Sequence, residues 1–363
     1  MLLDERKNGM ENGKVIKYIV IVVVLIGLAV GGAFAYKMYF EPKEVVEENK
    51  VVEENPVETK TVQIFKGNDR PIAVMIDNHK GALPHVGLSD AYMVYEIIVE
   101  GGESRLMALY KGKNLEKIGP VRSSRHYFLD YALENDAIYV HYGWSPQAES
   151  GIKSLGVDNI NGLVDDSVFW RVKDKSAPHN AVTSTDKILE DANKKGYKTT
   201  SDVSSILKYS VDEIEIPVGE NAQTADIITI PYFGTQNTVK WEYDRDTKRY
   251  TRYTKGVLEK EESTGEAVTA KNIIIEFARN TTIKGDSSGR QEVTTVGNHD
   301  GYYITNGRAE KIICSKVSRK SKTEYKDLAG NVIDVNDGST FVQITPEDAK
   351  VSIEAISKTE ITE

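Results

Sequence analysis

The chain has 363 residues, 40% of them hydrophobic and 28% charged, the balance of a folded protein with room for about two ordinary domains. A net charge of -9 and a pI near 5.4 argue against nucleic acid as the main partner, because phosphate binding needs a concentrated basic surface. The single cysteine, Cys314, excludes an internal disulfide and every cysteine-rich zinc site.

From Tyr18 to Tyr36 nineteen residues run without a charge, enough at about 1.5 Å per helical residue to cross nearly all of a ~30 Å hydrocarbon core. Arg6, Lys7, Lys14 and Lys17 precede the run, so residues 1–17 are expected in the cytoplasm and everything after Tyr36 outside, on a single-pass anchor. Cleavage after Ala35, in a small-x-small pattern, is the alternative. Residues 37–66 then read as an acidic linker: Glu41 to Glu58 holds seven glutamates and repeats VVEEN twice, with too little apolar content to fold.

Over 67–210, PIAVMID, AYMVYEIIVE, RLMALYK and AIYVHYG read as strands, with helices at Tyr127–Leu133 behind a Ser123-Ser124 cap and at Thr185–Lys195 before Gly196. This mixture predicts a layered α/β or α+β domain. Over 226–345, IITIPYF, VKWEYDR, RYTRYTK, NIIIEFA, GYYITNG, EKIICSK and TFVQITP predict a smaller, mainly β domain, punctuated by turns such as Asn306-Gly307 and Gly330-Asn331. Residues 346–363 read as a polar tail. The change of pattern near Ser210 predicts two independently folding halves.

Chemistry concentrates in the first half. In YEIIVEGGESRLMALYK a two-residue turn at Gly101-Gly102 would set Glu100 opposite Glu103, Ile98 opposite Arg105 and Glu96 opposite Met107, all on one face. Like charges so placed repel, which points either to an acid/base group of Glu96, Glu100 and Glu103 compensated by Arg105, or to a hydrated hairpin tip. In IGPVRSSRHYF, Arg122, Ser123 and Arg125 would frame a helix N-terminus suited to a phosphate or carboxylate, unless the serines only cap and the arginines pair with the glutamates. His79 with Asp77 and Asn78, His141 with Trp144, and His179 with Asn180 stand at strand ends or in polar loops, where sheet proteins gather ligand groups. No histidine shows a metal-ligand spacing, and no nucleotide-cofactor or zinc-protease motif occurs, so neither metal nor cofactor is expected. Ser145 before Pro146 reads as a helix cap, and Trp241, Tyr243, Tyr250 and Tyr253 as a cross-strand ladder.

RPIAVMIDNH, YEIIVEGGESR, IGPVRSSR, VHYGWSP and APHN, in this order from about Arg70 to Ile188, resemble the N-terminal domain of the YerB-like lipoprotein family. GYYITNGRAEKIICSK and NDGSTFVQITP are more loosely similar to that family's C-terminal domain. The resemblance implies an exported, membrane-attached protein with a β-β-α sandwich-like N-terminal domain, and no settled activity. This chain has no cysteine beside its N-terminal apolar run, so lipidation is excluded and the helix must anchor it. Two functions follow: a hydrolase or lyase acting on an envelope glycan through the glutamates, with Arg122, Arg125 and His179 positioning it, or a non-catalytic binder or scaffold for a wall polymer or envelope protein.

Overall fold

A computed structural model describes residues 4–40, 60–234 and 236–356. Of the linker expected over 37–66, residues 41–59 lie outside them, as does the end of the expected tail. The linker's first residues continue the N-terminal helix, and Phe65 packs on Tyr92 of the body. Two compact units result, 1–59 and 60–363. In the first, Asp4–Tyr39 is one helix, and its stretch Lys14–Tyr39 is long and apolar enough to cross a membrane.

The second unit, the body, is sheet-rich. Its largest sheet has the central order Arg308–Lys316, Gly297–Thr305, Asn272–Ala278, Thr340–Pro346, Met93–Ile98, Ser104–Tyr110, Ile72–Asp77, Ile138–His141. The strand Thr340–Pro346, from the second half, thus lies between Asn272–Ala278 and Met93–Ile98, parallel to both. The halves expected to fold separately share this sheet and one buried core. Near-continuous apolar runs at Ile72–Asp77, Met93–Ile98 and Asn272–Ala278 suit strands covered on both faces. Tyr95 packs on Tyr131 of the helix Phe128–Glu134. On the other face of that sheet, Phe341 meets Trp241 of a second antiparallel sheet built around Ile227–Phe233, Asn237–Asp244 and Arg249–Thr254. Trp241 and Tyr250 are fully buried and Tyr243 packs on Tyr250, as a ladder requires, but Tyr253, out of phase with Tyr250 on its strand, lies on the other face beside Lys240. Ser352–Glu354, within the expected tail, adds a strand to Ile227–Thr229.

Two local expectations change. The hairpin turn spans Glu100, Gly101 and Gly102, with both glycines at positive φ (71° and 73°), so Ile98 faces Ser104, Ile97 faces Arg105 and Glu96 faces Leu106. The extra turn residue shifts the register by one, which sends Glu96 and Arg105 to opposite faces and removes the direct opposition of Glu100 and Glu103. A side chain at Gly102 would also strike the Phe233 ring. Ser123 and Ser124 do not cap the helix, which starts at Phe128. Instead Ser123 Oγ donates to the Tyr142 carbonyl at 2.9 Å and Ser124 Oγ accepts from the Tyr139 hydroxyl at 2.8 Å. Ser145 does cap its helix, accepting from the Ala148 N–H at 3.1 Å.

Candidate functional site

Asp77 ends its strand as a buried hub, 3% exposed. Its carboxylate accepts from His179 Nδ1 at 2.7 Å and from the His79 backbone N–H at 3.1 Å, and lies 3.3 Å from Arg122 Nε. The His79 and His179 rings stack at 4.1 Å. Burial and the neighbouring His179 lower the His79 pKa, while its Nδ1 accepts from the Gly81 N–H. Arg122 is fixed by its backbone, whose N–H donates to the Met75 carbonyl and whose carbonyl accepts from the Tyr142 N–H. Asn180 closes the loop that carries His179, donating to the Val172 and Lys175 carbonyls at 3.1 Å and accepting from Arg171 at 2.7 Å.

Arg105 stands opposite Asp77 in the register and donates to the Ser123 carbonyl at 2.6 Å. Burial, reinforced by the positive charge of Arg125, pulls its guanidinium down to about 10. Arg125 grips Glu100 with two N–H groups, the Nε contact at 2.8 Å, and turns a third to the Ser124 carbonyl. Burial favours a neutral Glu100, but the hydrogen bonds and charge of Arg125, with Arg105 behind, hold its carboxyl at about 2.

That depression fixes a pH response. The Glu100 contribution to stability is complete above the ordinary carboxyl value of 4.5 and is lost as pH falls through about 2. The stability difference between the native chain and Glu100→Gln should therefore shrink steadily as melts are taken from pH 5 down to pH 2. A difference independent of pH would show that the pair does not form.

Each of the three glutamates is paired with a cation. Glu96 is fully buried: it accepts from Ser104 Oγ at 2.6 Å, from Asn78 Nδ2 at 3.1 Å and from Arg252 Nη2 at 2.9 Å. Glu103 pairs with Lys255, whose Nζ also donates to the Asn78 carbonyl at 2.6 Å. His141 is buried between the Gly143 carbonyl (2.8 Å) and Asn159 (3.2 Å), and burial lowers it to about 4, so it serves the fold rather than a ligand.

Arg122 and Ser123 reach a small cleft of about 270 Å³ that Tyr142, Trp144, Leu163 and Arg171 also line. No acidic side chain lines it. Arg171 also lies over the Tyr142 ring, 5.1 Å from its centre.

Several residues around the site have no local signal in the sequence. Arg252 is fully buried, 3.1 Å from Glu259, and Glu259 lies 2.6 Å from His85 Nδ1. His85 Nε2 in turn lies 2.7 Å from the Asp77 carbonyl. A buried chain of polar groups therefore runs from Glu96 through Arg252, Glu259 and His85 to the backbone of Asp77. Its only sequence trace is that Arg252 falls in phase with the buried Tyr250 on a strand of alternating burial.

Residues 59–198 match the family described as "Protein of unknown function (DUF3048) N-terminal domain", and residues 228–342 its C-terminal domain. The chain is 33% identical over 290 residues to a Bacillus subtilis protein named "Putative lipoprotein YerB", covering 77% of this chain and 82% of that protein. The crystal structure of YerB from Bacillus subtilis superposes with a TM-score of 0.70 at 31% identity, over 78% of this chain and 94% of that one.

Proposed function

The chain belongs to the YerB-like family of proteins of unknown function, and from that premise we propose that it is an exported, membrane-anchored protein whose body binds an anionic polymer of the cell envelope. The relative's name speaks of a lipoprotein, and here the N-terminal helix takes the place of the lipid, because the sole cysteine is buried in a strand of the body. The observation that carries the binding reading is the cleft beside Asp77: two guanidiniums, a serine hydroxyl and a tryptophan line it without one carboxylate. Among the described residues Arg122 pairs with Asp77, Arg125 pairs with Glu100 and Arg105 has no carboxylate partner of its own, which supports positive charge left to be met by a ligand. A phosphate or carboxylate between Arg122 and Arg171, with its sugar or polyol against Trp144, fits the cleft.

The expected result is saturable binding of a glycerol-phosphate oligomer by the full chain in detergent, weakening steeply with salt. Arg122→Gln should reduce the affinity at least about tenfold with a near-native melt. Equal binding by the native chain and Arg122→Gln would end this reading.

One observation favours a second reading, turnover. With Nδ1 held by Asp77, the Nε2 of His179 is free of protein partners among the described residues and could take a proton. Prolonged incubation of the same oligomer, followed by analysis of its chain length, separates cleavage from binding.

A further inference from the structure

A cleft of about 780 Å³ lies far along the sheet order from the Asp77 cluster, on the strands of the second half. Its floor is a row across three adjacent strands. Tyr302 stands opposite Ile275 on one side and Lys311 on the other, and Phe277, two residues beyond Ile275, shares their face. The Phe277 and Tyr302 rings meet edge to face at 6.2 Å, and both are only half-buried. Residues of the segment from Glu347 to Ile353 line the cleft as well. Around the cleft stand Arg279, Lys311 and Lys350 with Asp300 and Glu347, nearly balanced in charge and without side-chain partners among the described residues.

We infer that this cleft is a second binding site, for a neutral oligosaccharide. Two partly open aromatic rings offer apolar faces to the C–H faces of pyranose rings. Side chains of both signs, with donors and acceptors unspent, suit a ligand rich in hydroxyl and amide groups and carrying little net charge. A polyanion would meet Asp300 and Glu347, and an apolar peptide would strand the charged rim, so both fit worse. The inference does not depend on the anion reading, because the two clefts share no residue.

Isothermal titration of the full chain with chitotriose, in a detergent without a sugar headgroup, tests it. Binding should be saturable, and Tyr302→Ala should weaken it about tenfold or more. Lys311→Gln, at an exposed position that cannot unfold the chain, should weaken it a few-fold, while Arg122→Gln should leave it unchanged. No saturable binding of chitotriose, binding of a trialanine peptide instead, or native affinity in both Tyr302→Ala and Lys311→Gln would overturn the assignment.

Discussion

Replacing Arg252 by methionine should destabilise the body by about 3–5 kcal/mol, the cost of leaving buried charge without its counterion. The guanidinium is fully buried, bonded to Glu96 at 2.9 Å and 3.1 Å from Glu259, and flanked by the rings of Trp241 and Phe341. Methionine fills much of the volume but leaves both carboxylates inside the core without a cation. The triple change Arg252→Met, Glu96→Gln and Glu259→Gln should recover most of the loss, because the uncompensated charge goes with it. Chemical denaturation of the three proteins decides the matter. A cost below about 1 kcal/mol for the single change would mean that water reaches the pair.

Fragments of the body covering 68–208 and 226–345 should each fail to fold, while the intact body melts in one transition. Removing the second half strips Met93–Ile98 of its parallel neighbour Thr340–Pro346 and leaves Glu96 without Arg252. It also leaves the fully buried Glu134 without Lys316, its partner at 2.6 Å. The first half would then hold two uncompensated carboxylates and an open sheet edge. Circular dichroism and hydrogen exchange on the separate fragments are the check. Cooperative melting of either alone would show that the shared sheet is dispensable.

How much of this was legible in the sequence depends on the range of the interaction. The strands and their approximate limits follow from local apolar patterning, and Asn272–Ala278 and Thr340–Pro346 match the runs NIIIEFA and TFVQITP residue for residue. The Asn306-Gly307 turn follows from the positive φ that both residues adopt (49° and 73°). The hairpin register failed by one residue, because the turn took Glu100 in with the two glycines, and no local rule counts turn residues that finely. The junction of the halves was invisible, since parallel pairing between residues 93–97 and 340–344 leaves no mark in either segment alone. Within the site, the polar residues at strand ends do gather: Asp77, His79, Arg105, Arg122 and His179 form one cluster. The partners of the glutamates were less legible, because each has a cation that only the folded chain supplies: Arg252 for Glu96, Arg125 for Glu100 and Lys255 for Glu103.

The central claim is that the arginine cluster holds more positive charge than its own carboxylates cancel. Titrating a glycerol-phosphate oligomer into Arg122→Gln and Glu100→Gln tests it most directly, because the two changes shift the local charge in opposite senses. Affinity should fall at least about tenfold in the first and rise, by about two- to fivefold, in the second, where Arg125 is released from its partner. A fall in both variants, or no change in either, would contradict the account.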